Sequence, residues 1–239
     1  MILLLMAIAL AVQDDAAATE AITTFDAAFS KSKDAALIGT LAQTQHEKVV
    51  SKLNNLMHHA EKPVRLAAAQ GLKGFSSSTP ALKKSATKAL LDGMGMGVNA
   101  KDLDIREVIV GALGLLQDDL ALAPLKTSLD DKSFRIASAA VSAATAFKSK
   151  ELIEPLISQL KDCEKTQKAA GNPTLKGRKP TSAKKDPNDP EELKLERALN
   201  LILPIQSSLE SLTGQKFPDG EGWDKWWTKA RSNFVLKRE

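Results

Sequence analysis

The sequence predicts an all-α chain, a solenoid of about five helical hairpins closed by a C-terminal capping helix. Three observations predict it. Leu122-Ala123-Pro124-Leu125, with Leu129 and Asp131, recurs 31 residues later as Ile153-Glu154-Pro155-Leu156, with Leu160 and Asp162. Self-similarity at such a period marks a stacked array, in which each unit buries its apolar face against its neighbours. The chain is rich in Ala and Leu, contains no Tyr, and has few β-branched or aromatic clusters, which favours helix over strand. Segment after segment also carries apolar residues at helical spacing.

The 239 residues suffice for one substantial domain or one elongated array. Residues 2–12 form an apolar run ending at Gln13, Asp14 and Asp15. Such a run falls well short of the roughly 20 residues a membrane-spanning helix needs, so no membrane span is expected. It fits the hydrophobic part of a secretory leader, and Ala9-Leu10-Ala11 supplies a small-x-small cleavage pattern, although no Lys or Arg precedes the run. Residues 1–11 are therefore expected to be a signal peptide and the protein to be periplasmic or secreted. The other reading is an apolar helix folded onto the first repeat.

Next, Ala18, Ile22, Phe25 and Phe29 share one face of a helix from about 14 to 30, and Leu37, Ile38 and Leu41 mark a shorter one. Val49, Val50, Leu53 and Leu56 define a third helix. A turn at Ala60-Glu61-Lys62 leads into a fourth, where Pro63 suits the first turn because its missing N–H costs nothing there. Further helices are expected from Pro80 to Met94, Leu103 to Leu116, and Phe134 to Phe147, with the two repeated segments supplying the rest. Small residues such as Gly71, Gly111 and Ala140 are expected where second helices approach their neighbours closely.

One arginine recurs near the start of each second helix, at Arg65, Arg106, Arg135 and Arg197, and Glu61, Asp102 and Asp131 stand four residues before the first three. Repetition in register argues for architecture: a ladder of ion pairs tying turns together. This pattern resembles bacterial HEAT repeats over about residues 46–163, resuming at 191–212. The resemblance implies a right-handed α-solenoid and a binding surface, and it carries no activity by itself.

Arginine spacings of 41, 29 and 62 locate two insertions, at 93–102 and 164–190. In a solenoid such turns share one edge, often the binding face. The domain plan is thus repeats over 12–163, an insertion over 164–190, and a last repeat helix with its cap over 191–239. The longer insertion is rich in Pro, Gly and charge, a composition that favours disorder. Its seven cations against three acids equal the net charge of the whole chain, +4. Lys176, Arg178, Lys179, Lys184 and Lys185 are its candidate contacts to an anionic partner; a solvated linker is the competing reading. The Gly93-Met94-Gly95-Met96-Gly97 stretch lacks the preceding strand and following Gly-Lys-Ser/Thr of a phosphate loop, and is read as a helix stop.

Half of the ten aromatic residues lie between Phe217 and Phe234, among them Trp223, Trp226 and Trp227. Trp223, Trp227 and Phe234 are expected to seal the last hairpin as a cap; exposed tryptophans that stack on sugars or a partner helix are the rival. LTGQKFPDGEGWDKWW resembles a tail found after HEAT-type repeats in some exported bacterial proteins.

The sequence has no Gly-x-Ser-x-Gly, P-loop or His-Glu-x-x-His. Its single cysteine, Cys163, falls on the apolar stripe of the second repeated segment and is expected to be buried. The hydroxylase branch of the HEAT family binds iron through several His-Glu pairs; only His46-Glu47 is present, so no metal, cofactor or catalytic residue is assigned. The expected function is a non-enzymatic protein-interaction scaffold outside the cytoplasm, binding a protein or an anionic envelope polymer rather than nucleic acid. The alternatives are a cytoplasmic protein contacting nucleic acid or another polyanion through the basic insertion, and an enzyme of the hydroxylase or bilin-lyase type.

Overall fold

The computed structural model describes residues 2–171 and 189–236, with side chains from Asp14 onward. The described residues are helical with short connections, and none is in a strand. Contacts divide the chain into two compact units, Met1–Ala121 and Leu122–Glu239; the sequence placed no boundary there.

Unit 1 holds α1 (Ile2–Ser32), α2 (Ala36–Leu41), α3 (Glu47–Met57), α4 (Lys62–Lys73), α5 (Pro80–Gly95), α6 (Gly97–Ala100) and α7 (Leu103–Leu116). The apolar run continues α1 without a break, so the helix begins well before the expected residue 14. Within this unit α1, α3 and α5 pack in one row and α2, α4 and α7 in another, and each hairpin closes through α1–α2, α3–α4 or α5–α7 contacts. Buried Ala18, Phe25 and Phe29 seat α1, while Val49, Leu53, Val64, Ala68, Leu72, Ile109 and Leu113 fill the space between rows. A Cβ on Gly71 would lie 3.1 Å from Ala42 Cβ, so glycine there permits close approach of α4 to its neighbours. Gly111 plays no such part: its α-carbon faces open space.

The starts of these helices follow local chemistry. His46 Nδ1 accepts the Lys48 N–H at the head of α3. Thr79 caps α5 just before Pro80, and Asp102 Oδ1 accepts the N–H groups of Asp104 and Ile105 at the head of α7. Each cap satisfies donors that have no partner inside the helix.

Unit 2 holds α8 (Leu122–Leu129), α9 (Phe134–Phe147), α10 (Ile153–Gly171), α11 (Pro190–Thr213) and α12 (Gly220–Ala230). The 31-residue period is visible in the backbone. A 3-10 turn at Asp119–Ala121 leads into α8, and another at Lys150–Leu152 leads into α10. Leu125 and Leu129 are buried, as are their counterparts Leu156 and Leu160. In this unit α8 packs on α9, α10 on α11, α9 on α11, and α12 on α10. Helix α10 outruns the expected end of the repeats at 163, because Glu164 to Ala170 are nearly all good helix formers. Gly214 closes α11 in the left-handed conformation, φ +69°, its N–H reaching Glu210 O.

Candidate functional site

Unit 2 carries a groove of about 940 Å³ between α10 and α11. Helix α10 places Gln159 and Cys163 one turn apart on its floor, and α11 supplies Arg197 and Ala198 opposite. Arg197 reaches past α11 to the end of α8, where its Nε donates to Asp131 O at 2.8 Å and its Nη2 to Leu129 O at 3.0 Å. Leu129 O is one of the orphan acceptors of a helix C-terminus, and Asp131 O lies in the turn that follows; a guanidinium satisfies both. Gln159 is 4% exposed. With its amide oxygen turned to the guanidinium it accepts from both terminal nitrogens, at 3.0 and 3.1 Å, and its nitrogen donates to Asp130 Oδ1 at 2.7 Å. Burial pushes the Cys163 thiol above its ordinary pKa, so it stays protonated and inert at neutral pH. Charged residues of both signs, Asp162, Lys165, Glu191, Glu192 and Lys194, line the rest. The three histidines lie in unit 1, and the groove offers ionic and hydrogen-bonding contacts.

The arginines do not form a uniform ladder. Arg65, 7% exposed, makes no ion pair with Glu61; its Nη1 donates to the carbonyls of His59 and Ala60, at 2.9 and 2.7 Å. Its Nε donates to Oδ1 of fully buried Asn99 at 2.8 Å. Asn99 in turn donates to Met57 O and Gly93 O, which joins the ends of α3 and α5. The short insertion is thus anchored to the unit through Asn99 while the rest of α6 stays exposed, and the helix ends nearby supply the reason: their last carbonyls need donors. Asp102 pairs with Lys62 at 3.0 Å. Arg106 is half-buried on α7 and Arg135 exposed on α9. Lys62, Asn99 and Gln159 were not singled out in the sequence, because nothing local distinguishes a polar residue that meets a distant carbonyl from one that faces water.

Trp223 is fully buried and Trp227 is 5% exposed, while Trp226 and Phe234 are half-buried. Phe217 meets Trp223 edge-on at 5.0 Å, and Phe234 meets Trp227 at 5.5 Å. Helix α12 is fastened to α10 by polar contacts as well. Lys161 Nζ lies 2.7 Å from Asp224, and the Glu164 carboxylate accepts the Gly220 N–H at the head of α12, at 3.0 Å. Neither buried indole N–H has a hydrogen-bond partner among the described residues.

Lys176, Arg178, Lys179, Lys184 and Lys185 lie outside the described residues. Among the described residues no three His, Cys, Asp or Glu side chains converge as a metal site, and no helix is long and apolar enough to cross a membrane. The all-helical chain is compatible with a helical repeat protein; in comparisons with known proteins, no family model matches it and no curated protein is significantly similar to it.

Proposed function

We propose that this protein is a non-enzymatic scaffold, a HEAT-like α-solenoid working outside the cytoplasm, and that the α10–α11 groove receives a segment of a protein partner. The observation that carries the reading is the groove itself. Its floor is held by the Arg197–Gln159–Asp130 network, and its walls offer both charge signs. The solenoid reading draws support from the 31-residue period and from the two rows of helices in unit 1. Export draws support from residues 2–12. A chain starting at Val12 would also keep Asp15, which pairs with Lys48, and the Phe25 and Phe29 that seat α1.

The test is affinity capture from native cell envelope with the wild-type chain and an Ala170→Trp variant. Ala170 is exposed on the groove wall, so the bulky ring fills the groove without entering the core. A partner captured by the wild type should be lost with the variant; equal capture by both sinks the groove as the contact. Sequencing of the native N-terminus should start at or near Val12, and an intact Met1 on cytoplasmic protein contradicts export. The charge concentrated between 164 and 190 favours a second reading, binding of a polyanion through Lys176 to Lys185. Deleting residues 173–187 should then abolish salt-sensitive binding to heparin.

A further inference from the structure

We propose that the end of unit 2 formed by the α9–α10 turn and the chain leaving α12 is a docking surface for an anionic lipid bilayer. This surface is separate from the groove and does not rest on the scaffold reading. It surrounds a cleft of about 760 Å³ whose lining includes Lys148, Lys150, Trp227, Arg231, Phe234 and Val235. The turn is built firmly. Lys148 holds a left-handed conformation, φ 53°, with its N–H on Ala144 O, and the Ser149 hydroxyl accepts the Glu151 N–H. These bonds hold Lys148 and Lys150 at the cleft mouth.

On the other wall stands Arg231, just past the end of α12. Two carboxylates also line the cleft. Glu151 is engaged by Lys126 at 2.8 Å, and Glu154 stands a loose 3.9 Å from Arg231. Neither Lys148 nor Lys150 takes part in these pairs, so the cationic side prevails.

The choice of a bilayer over a soluble polyanion comes from the apolar rim. Val235 is 81% exposed, beside half-buried Phe234 and Leu236 over a floor of Trp227. A hydrophilic polymer would satisfy the cations and leave Val235 in water. A membrane interface accepts both, anionic headgroups taking the cations and the acyl boundary taking the apolar edge. Aromatic and aliphatic side chains next to Lys and Arg are the composition such interfaces favour.

The experiment is sedimentation of the full chain with vesicles of phosphatidylcholine alone or with added phosphatidylglycerol. Binding is expected only with the anionic lipid and is expected to weaken with salt. Each basic residue near an anionic surface multiplies partitioning about fivefold, so replacing Lys148, Lys150 and Arg231 together by Gln should weaken binding about a hundredfold. Circular dichroism checks that this variant still folds, and it retains residues 2–12 as an internal control. Val235→Asp should also weaken binding although every cation remains. Absence of binding, or equal binding to both vesicles, overturns the proposal. Binding retained by the triple variant assigns the contact elsewhere, to the apolar run or to residues 172–188. Undiminished binding by Val235→Asp overturns the bilayer in favour of a purely electrostatic contact.

Discussion

Replacing Asn99 by Ala should destabilise unit 1 out of proportion to the size of the change. The side chain is fully buried in a helix of four residues that adds little core of its own. It gives hydrogen bonds to Met57 O at 3.1 Å and Gly93 O at 2.9 Å, and accepts one from Arg65 Nε at 2.8 Å. Alanine leaves two carbonyls and one guanidinium N–H without those partners in a site water does not reach. A buried hydrogen bond contributes about 1 kcal/mol net, and an orphaned buried group costs about 1–3 kcal/mol. Arg65 keeps its two carbonyl acceptors, which softens the third loss. The total comes to about 3 kcal/mol, a large share of the roughly 5–15 kcal/mol that holds a typical domain. Asn99→Asp is the informative companion: it keeps an acceptor for Arg65 but sets a carboxylate oxygen against the two carbonyls, so it should rescue little. Urea unfolding followed by far-ultraviolet circular dichroism measures this. All three tryptophans lie in unit 2, so their fluorescence reports that unit separately. A loss below about 1 kcal/mol for Asn99→Ala, or full rescue by Asp, would refute the reasoning.

Trp223→Ala, at a fully buried ring, should cost about 3–5 kcal/mol, and wild-type emission should be blue-shifted and resist quenching; red, quenchable emission contradicts a sealing role. Gly220→Ala should loosen α12, because the new Cβ would lie 2.6 Å from Lys161 Cγ and 3.1 Å from its backbone nitrogen, whereas Gly39→Ala meets nothing within 4 Å. The first should lower the thermal midpoint by an amount equivalent to about 1–3 kcal/mol, and the second should leave it unchanged or raise it by about 0.4–1 kcal/mol. Burial works against ionised Asp102, but hydrogen bonds from Lys62 and from the Ile105 and Asp104 N–H groups outweigh it and hold its pKa below the ordinary 3.8. A lowered carboxylate pKa stabilises the fold above the unfolded value and loses that contribution as pH falls through the folded one. Asp102→Asn retains a capping oxygen, so its urea midpoint should trail wild type near neutral pH and converge with it below about pH 4; a constant gap would contradict the assignment.

The helices and their order were legible in the sequence because local interactions set them. Apolar residues at helical spacing and Pro at first turns act within a few residues of chain. The burial of Cys163, Leu156 and Leu160 followed from the same stripe. The partners of the arginines were not legible in that way. Arg65 and Arg197 both stand near the start of a second helix, yet one finds Asn99 34 residues away and the other a carbonyl 66 residues away. Tertiary structure alone decided those pairings, because only packing reveals which helix ends leave carbonyls without donors. For the same reason the insertion at 93–102, read from the sequence as a helix stop, is anchored through buried Asn99 to the ends of α3 and α5. A local pattern states what each segment can form; which distant groups must then be satisfied is a property of the assembled helices.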